Sequence, residues 1–381
     1  MSDTSFRPSG VAGTILYVGG FILPDGNAAA HRVVANARIF SELGYEVVFL
    51  CFSDEADTPR MVERLGFRCY ECPSIEWRAA SRMDIDRVAE VVELCGDVTH
   101  IVAYNYPAPA LSKLMKFCKE HGLLCVGDVT EWYSARDVSL LKAPVKFVDT
   151  FWRMRILNKK LDGLIVISDF LFNFYSDHVP SINLPPLVDA SQEKWARSAV
   201  GGIGTMQITY AGKPSRRKER LDLIVQAVLA QDASLSVLLN VVGIELGEYQ
   251  EIYGSDFSGD ERIRFFGRVA HEEALQIVKQ SDYTIIVRDD NRVTRAGFPT
   301  KFVESVTCGV PVICNSNSDL EKWVVSHGCG VLVSEERLAE GIAEALRQKK
   351  DIADRAVFDY RRFKTSVQLF MGSIGEEKGA K

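Results

Sequence analysis

The sequence has no hydrophobic run long enough to cross a membrane as a helix. Its longest stretch without a charged residue, from Pro8 to Pro24, has 17 residues and contains four glycines, whereas a membrane-spanning helix needs about 20 predominantly apolar residues. A single Arg7 beside Asp3 makes a poor basic start for a secretory signal peptide. We therefore expect this run to be a first strand with its loop, in a cytoplasmic protein.

The sequence also lacks an excess of positive charge. Its 45 Lys and Arg residues are outnumbered by 51 Asp and Glu residues, which gives a net charge of -6. Proteins that bind nucleic acid through its phosphates normally carry a basic excess, so nucleic acid is not an expected partner. The hydrophobic content of 47% and charged content of 25% are typical of a globular protein, and the length of 381 residues suits two domains.

Cysteines are present without the pattern of a disulfide or zinc framework. The nine cysteines are an odd number, and the pair Cys69 and Cys72 forms a Cys-x-x-Cys with no second pair at zinc spacing. Most of the others fall in apolar, strand-like runs, which is typical of buried thiols in a reducing cytoplasm. Asp289 and Asp290 are weak evidence for a cation site, and we expect no metal or other cofactor.

Apolar strand-like runs alternate with helical segments through the whole chain, which predicts parallel sheets covered by helices. The runs lie near 14–18, 45–52, 67–70, 99–104, 123–127 and 163–167, and again near 207–211, 236–242, 262–266, 283–287, 310–314 and 329–333. Between the two sets, a polar stretch with the Gly-rich sequence at 201–204 is the best linker candidate. We therefore predict an α/β protein with two Rossmann-like domains, 1–190 and 205–354. They are expected to face each other across a cleft, with ligands at the carboxyl ends of the strands.

A loop, a helix and a buried strand are predicted between Ala296 and Cys314. Pro299 suits the first turn of a helix, and Gly309 suits the left-handed residue that ends one. The free N–H groups at such a helix start, in the segment from Gly297 and Phe298 through Thr300 and Lys301, are suited to bind a phosphate.

Glu304 stands one turn beyond Thr300 on the same face of this helix, roughly 6 Å further along its axis. A carboxylate there can accept the hydroxyl protons of a ribose whose diphosphate lies at the helix start. The alternative is a surface helix with a merely solvated Glu304.

The loop after the first strand of the second domain is strongly basic. Five of the eight residues from Lys213 to Arg220 are Lys or Arg, against one Glu. Lys213 and Lys218 are the candidates for a diphosphate clamp, with Arg217 as a third. The alternative, an ordinary exposed helix start, is less favoured because cations are poorly placed at a helix N-terminus unless an anion joins them.

The first strand of the first domain is followed by a Gly-bearing loop. Gly20 allows close approach of a ligand to the backbone, and Asn27 can cap the following helix. The loop has no GxGxxG sequence, so it does not predict dinucleotide binding. It could close over a phosphate or an acceptor, or be a plain turn.

The run Asp128 to Tyr133 follows a strand of the first domain and combines two acids with two aromatic residues. Aromatic rings suit the apolar faces of sugars, and the carboxylates of Asp128 or Glu131 could position an attacking hydroxyl. The alternative for Asp128 is a cap or turn residue.

Residues 142–160 carry six basic residues and one acidic residue, with Phe147, Phe151 and Trp152 among them. This composition can lie against an anionic membrane surface. It can equally be a helix whose aromatic stripe belongs to the core.

Two motifs of the second half carry a family resemblance: Gly212-Lys213 with Lys218, and the run from Gly297 to Glu304 followed by the apolar strand that ends near Ile313. With them the chain resembles retaining glycosyltransferases of family four, which have the GT-B fold. The resemblance implies a sugar-nucleotide donor held mainly by the second domain. Glu304 would bind the ribose, and the two lysines would bind the diphosphate with help from the backbone at Thr300 and Lys301. It also implies that a last helix, predicted at 355–375, crosses back onto the first domain.

The chain departs from the family pattern at two places. The family usually has a second Glu eight positions before the ribose-binding Glu, and Ala296 stands there in this sequence. The missing contacts to the donor sugar could come from a nearby polar residue: Asp289, Asp290, Arg292 or Arg295. The histidine often found in the first domain is also unmatched, since Asp128 and Glu131 occupy its loop.

These observations predict metal-independent transfer of a sugar, with retention, from a nucleoside-diphosphate sugar to an acceptor hydroxyl. The acceptor would be a glycan or lipid-linked glycan in bacterial surface polysaccharide or glycan synthesis. The alternatives are an inactive glycosyltransferase-like scaffold, suggested by Ala296, and a GT-B epimerase or phosphorylase. The protein would be cytoplasmic, with peripheral membrane contact through 142–160.

Overall fold

The computed structural model describes residues 12–24, 27–73, 85–133, 143–196, 204–216, 218–232, 235–317, 319–348 and 350–379. For residues 376–379 only the backbone is described. The chain divides into two units. The first comprises residues 1–188 and 360–381, and the second comprises residues 189–359. The chain thus leaves the first unit once and returns to it once.

The first unit is built on an eight-stranded sheet in the order β3-β4-β2-β1-β5-β6-β7-β8. Its strands are β1 (Gly13–Gly19), β2 (Tyr45–Ser53), β3 (Arg60–Arg64), β4 (Phe67–Pro73), β5 (Val98–Tyr104), β6 (Leu124–Val129), β7 (Gly163–Val166) and β8 (Ser181–Asn183). Neighbouring strands are parallel except β3 and β4, which form an antiparallel edge pair. Among the described residues before 188, the α-helices are α1 (Ala28–Glu42), α2 (Ile85–Cys95), α3 (Ala108–Glu120), α4 (Ala143–Trp152) and α5 (Asp169–Tyr175), and the helical turns Arg153–Leu157 and Asn158–Lys160 follow α4.

The second unit contains a six-stranded, wholly parallel sheet in the order β11-β10-β9-β12-β13-β14. Its strands are β9 (Met206–Ala211), β10 (Val237–Val242), β11 (Ile263–Phe265), β12 (Tyr283–Ile286), β13 (Val312–Cys314) and β14 (Gly330–Leu332). Its helices are α6 (Leu221–Leu229), α7 (Leu246–Tyr253), α8 (His271–Lys279), α9 (Arg292–Ala296), α10 (Thr300–Thr307), α11 (Leu320–His327) and α12 (Leu338–Gln348). The prediction of two parallel-sheet α/β domains is confirmed.

The central strands are apolar runs because helices cover both faces of a parallel sheet. Every residue of β1 and β10 is buried. In the first unit α1 packs against β2, and its buried residues, such as Val33 and Phe40, join the core with Tyr17 and Phe49. Each unit therefore has its own hydrophobic core.

The last helix, α13 (Lys364–Gly379), belongs to the first unit. Val367, Phe370, Met371 and Ile374 are buried in that unit's core, and a Cβ on Gly163 of β7 would lie only 2.7 Å from a methyl carbon of Ile374. The expected return of the chain's last helix to the first domain is confirmed. Among the described residues, no helix has the length and apolarity needed to cross a membrane.

Candidate functional site

Two loops of the second unit meet beside the end of β9. Gly212 follows β9 with φ +124°, and Gly243 follows β10 with φ +113°. A Cβ on Gly243 would lie 2.6 Å from the carbonyl carbon of Gly212, and a Cβ on Gly212 would lie 3.3 Å from Nζ of Lys301. Both positions therefore require glycine. The basic loop and the start of α10, predicted separately, are thus neighbours at the carboxyl end of the sheet.

Lys301 connects these two segments through its side chain. Its ammonium donates hydrogen bonds to Glu219 (2.8 Å) and to the hydroxyl of Tyr210 (3.1 Å), and it stands 4.2 Å from the centre of the Tyr210 ring. The Tyr210 hydroxyl also donates to the Glu219 carboxylate. Only 16% of the Lys301 side chain and 11% of the Glu219 side chain are exposed. The ammonium is thus engaged inside the unit, which leaves the backbone of Lys301 as the part suited to a ligand.

The protonation states in this cluster follow from burial and charge. Burial raises the pKa of the Glu219 carboxyl, but the charge of Lys301 and the hydrogen bonds from Lys301 and Tyr210 outweigh it, so this pKa lies below its usual value. Burial and the neighbouring Glu219 raise the pKa of Tyr210 well above its usual value. At neutral pH the cluster is a Lys–Glu ion pair with a neutral tyrosine.

The basic loop is fixed to the end of β12 by backbone hydrogen bonds. The N–H of Asp289 donates to the carbonyl of Lys218 (3.2 Å), and the N–H of Arg220 donates to that of Val287 (2.9 Å). The guanidinium of Arg220 pairs with Asp222 (2.9 Å) and lies 3.6 Å from Asp289. The charge of Arg220 is thus neutralised locally.

The proposed clamp residues occupy different environments in this loop. Lys213 is exposed, and Lys218 is half-buried. Arg217 lies outside the described residues. Lys213 and Lys218 remain our candidates for the diphosphate.

Helix α10 starts one position later than predicted. Pro299 is the N-cap, so the helix runs for eight residues from Thr300. Gly309 follows the helix with φ +75°, as expected for the residue that ends it. Thr300 is exposed and Gly297 half-buried, so both are accessible at the helix start.

Phe298 and Pro299 are buried, and Phe298 packs against two other rings. Its ring centre lies 5.9 Å from that of Phe302 and 6.1 Å from that of Phe358. Phe298 therefore anchors the loop in the core of the second unit, although we expected it to contact the donor.

Glu304 lies one turn into α10 with 28% of its side chain exposed. Its Oε1 is 3.0 Å from Nε2 of His271, the first residue of α8. The hydrogen bond holds one carboxylate oxygen in place. His271 is a site residue that sequence reasoning missed, because its partner is 33 positions away.

The polar residues considered as substitutes for the missing glutamate have internal partners or lie at the surface. Asp290 and Arg295 form an exposed ion pair with each other, and Asp289 lies near Arg220. Arg292 is exposed at the start of α9. Ala296, at the end of α9, is fully buried, so a longer side chain at that position would need space that the packed unit does not provide.

In the first unit, Asp128 is fully buried at the end of β6. Its carboxylate accepts hydrogen bonds from Nε of Arg32 (2.9 Å) and from the hydroxyl of Tyr17, and it lies 2.7 Å from Nη2 of Arg32 in an ion pair. Arg32 also donates to the carbonyl of Leu184 (2.8 Å). Contrary to our expectation, Asp128 does not face an acceptor, because its oxygens are occupied inside the core.

Glu131 remains half-buried in the loop beyond β6. Burial, followed by the charge of Glu131, raises the pKa of Tyr133 above its usual value. The Tyr133 ring lies 3.8 Å from Nζ of Lys146 and 4.8 Å from Cζ of Arg153. The acidic and aromatic groups of this loop thus lie near basic groups of α4 and of the turn that follows it, and a sugar-binding role for them stays a prediction.

Arg153 is a second residue that sequence reasoning missed here. It is 2% exposed, and Nη1 donates to the carbonyl of Asn105 (3.2 Å). Within the described part of the chain, its Nε and Nη2 have no hydrogen-bond partner. Buried guanidinium groups are normally satisfied, so a ligand or water is expected beside Arg153.

The loop after β1 is closed by Asn27. Its side-chain oxygen accepts from the N–H of Ala30 (3.0 Å), which caps α1, and its amide donates to the carbonyl of Gly20 (3.3 Å). The predicted cap is confirmed, and the side-chain NH2 of Asn27 is engaged in the hydrogen bond to the carbonyl of Gly20. Contact of Gly20 or Asn27 with a phosphate or an acceptor stays a prediction.

Metal ligands do not cluster in the part of the chain that the structure describes: no group of three or more His, Cys, Asp or Glu side chains there could hold an ion. Cys69 and Cys72 are buried thiols of β4 that are not joined by a disulfide bond. The sequence contains one Asp-x-Asp triplet at 84–86, and its second member lies in the first turn of α2. Metal independence stays a prediction.

Comparison with known proteins places these features in context. Residues 205–349 match the model of the family Glycosyl transferases group 1. No curated protein matches the chain. Sucrose-phosphate synthase from Thermosynechococcus elongatus superposes with a TM-score of 0.70 and 15% identity, over 97% of this chain and 99% of that one. This chain has the GT-B fold.

Two further neighbours of this GT-B protein were solved with nucleotides. HepE from Anabaena, in complex with UDP and glucose, has a TM-score of 0.65 and 13% identity, over 95% of this chain and 100% of that one. The catalytic domain of starch synthase IV from Arabidopsis thaliana, bound to ADP and acarbose, has a TM-score of 0.67 and 10% identity, over 95% and 99%. The family match covers residues 205–349 alone, and these neighbours share the fold of this chain.

Proposed function

We propose that this protein is a retaining hexosyltransferase. It would move a sugar from a nucleoside-diphosphate donor to a hydroxyl of a glycan or lipid-linked glycan acceptor, in bacterial surface polysaccharide or glycan synthesis. The observation that carries the proposal is the proximity of Gly212 to Lys301, because it joins the basic loop to the start of α10. The bound UDP and ADP of the structural neighbours support a nucleotide donor.

Each part of the donor has a matching group in the second unit. The N–H groups at Thr300 and Lys301 and the charges of Lys213 and Lys218 suit the diphosphate. The absence of a side chain at Gly243 lets the loop after β10 pack against the backbone of Gly212, and its absence at Gly212 makes room for the side chain of Lys301. Glu304, held by His271 through one oxygen, suits the ribose hydroxyls.

The reaction needs stabilisation of the leaving diphosphate. Glycosyl transfer passes through an oxocarbenium-like transition state, and negative charge grows on the diphosphate as its bond to the sugar breaks. Fixed N–H groups and ammonium groups aimed at that charge lower the barrier without a metal. The acceptor would be held in the first unit, where Glu131, Tyr133 and Arg153 offer carboxylate, ring and guanidinium groups.

A second candidate function is a nucleotide-binding scaffold without transfer activity, because Ala296 stands where the resemblance calls for a glutamate. An epimerase or a phosphorylase would be revealed by isomerisation of the free donor or by turnover that depends on phosphate.

The test begins with a thermal-shift screen of nucleoside diphosphates and their sugars, since a ligand that binds the folded state raises Tm. The best donor is then used in transfer assays, and the product anomer is read by NMR. We expect Glu304→Ala to abolish transfer, while Glu340→Ala, at an exposed surface position of α12, keeps it. Full activity of Glu304→Ala contradicts the assignment of the donor site, and binding without turnover over a broad acceptor panel favours the scaffold.

A further inference from the structure

Helix α4 and the helical turns that follow it expose an apolar face. The exposed side chains recur on successive turns, so they form one stripe along the helix. They are Val145 (73%), Phe147 (61%), Val148 (60%), Phe151 (48%), Trp152 (37%) and Ile156 (37%). A contiguous apolar patch of this kind marks an interaction site on a folded protein.

The side of α4 and of the following turns that faces the first unit buries Met154 and Leu157, and it is also held by hydrogen bonds of polar groups. Asp149 accepts from the N–H of Ala108 at the start of α3 (2.7 Å). Arg153 donates to the carbonyl of Asn105 (3.2 Å), and Asn158 donates to the hydroxyl of Tyr175 (3.0 Å). Turning the apolar stripe inward would break these bonds. The exposure of the stripe is therefore a feature of the fold and not of loose packing.

Positive charge borders the stripe. Arg155 and Lys160 are exposed, and Lys146 and Lys159 are half-buried. The one acidic residue between 143 and 160 is Asp149, whose carboxylate is turned onto the N–H of Ala108. This local excess contrasts with the net charge of -6 for the whole chain, so it favours an anionic partner.

We propose that this face docks on the surface of an anionic lipid bilayer. Exposed Phe and Trp side chains insert into the interfacial region, and Lys and Arg side chains beside them contact anionic headgroups. The segment lies on the membrane rather than across it, since α4 has ten residues. The inference stands independently of the proposed function. If both hold, the acceptor is carried by a lipid.

The test is co-sedimentation of the full chain with phosphatidylcholine vesicles prepared with and without phosphatidylglycerol. We expect binding to the anionic vesicles only, weakened by added salt because exposed charges are screened. The double variant Phe147→Ser/Phe151→Ser should lower partitioning about tenfold or more. Arg155→Gln/Lys160→Gln should lower it by about fivefold per charge.

A matched control replaces apolar residues that are equally exposed on other elements. Leu94, on α2, is 60% exposed, and Val325, on α11, is 71% exposed. The variant Leu94→Ser/Val325→Ser should bind vesicles like the wild-type protein. Unchanged melting curves establish that each variant is folded.

Three results would overturn the proposal. One is no binding to anionic vesicles, or equal binding to neutral ones. Another is an equal loss of binding in the control variant. The third is a concentration-dependent dimer that Phe147→Ser/Phe151→Ser abolishes, without vesicle binding, because the face would then be covered by a second copy. Vesicle binding is measured without a donor, so its outcome is separate from that of the transfer assay.

Discussion

The ion pair of Lys301 and Glu219 allows a quantitative test of how the second unit is held together. Replacing Lys301 by Met keeps most of the length of the side chain and removes its charge. The Glu219 carboxylate, 11% exposed, would then keep the hydroxyl of Tyr210 as its described hydrogen-bond partner, and a weaker interaction with the charge of Arg288. The substitution therefore leaves a nearly buried charge without its counter-ion.

Breaking a buried ion pair by removing one partner costs about 3–5 kcal/mol, and we expect the lower end here because both side chains retain some exposure. For a domain of this size, a loss of about 3 kcal/mol lowers Tm by about 6–12 °C. The double variant Glu219→Gln/Lys301→Met should recover most of the loss, since it removes both charges and the intact pair contributes little net stability.

The effect should depend on pH with a defined sign. In the wild-type protein the pKa of Glu219 is lowered, so its stabilising contribution is present above the unfolded pKa of about 4.3 and is lost as the pH falls through the lower folded pKa. In Lys301→Met the burial of Glu219 would raise its pKa, so acid would stabilise the variant. The difference between the two proteins should therefore be largest at neutral pH and shrink in acid.

Hydrogen exchange in α10, together with thermal unfolding, measures the difference in unfolding free energy between the wild-type protein and Lys301→Met in the second unit. Arg347→Met, at an exposed position of α12, is the control and should change the unfolding free energy by less than about 0.5 kcal/mol. The reasoning is refuted if Lys301→Met loses no more unfolding free energy than the control does. It is also refuted if this loss of unfolding free energy becomes larger in acid.

Two other substitutions test pairs that the structure brings together. Arg32→Met should destabilise the first unit by about 4 kcal/mol, because Asp128 is fully buried beside it. Lys113→Met, at an exposed position of α3, should have little effect, and equal unfolding curves for the two variants would contradict this. His271→Ala should weaken binding of the best nucleoside diphosphate by about threefold to tenfold, because it removes the net free energy of one hydrogen bond. Calorimetric titration measures this affinity, and an unchanged value would show that His271 does not orient Glu304.

Local sequence signals predicted the elements that surround the donor site. The alternation of apolar runs predicts the parallel strands of both sheets, Gly309 marks the end of α10, and Asn27 marks the start of α1. Such signals work because backbone conformation and burial impose them within a few residues. The antiparallel strand β3, with its alternating exposed positions, and the three-residue β8 are too short or too polar to stand out.

The buried charges could not be predicted in the same way. Arg32 and Asp128 are 96 positions apart, and Glu219 and Lys301 are 82 positions apart. No spacing rule connects such distant residues, because the sheet topology brings them together. Asp128 was therefore interpreted as a site residue when it is a core counter-ion. The phosphate role predicted for the backbone of Lys301 is compatible with the structure, but the sequence does not predict that its side chain pairs with Glu219.

The most direct test of the donor site is hydrogen exchange with and without the nucleoside diphosphate that gives the largest thermal shift. We predict that the bound nucleoside diphosphate slows amide exchange in both 212–220 and 297–304, with smaller changes elsewhere in the second unit. Protection that appears only in other segments, with both of these unchanged, would contradict the assignment of the donor site.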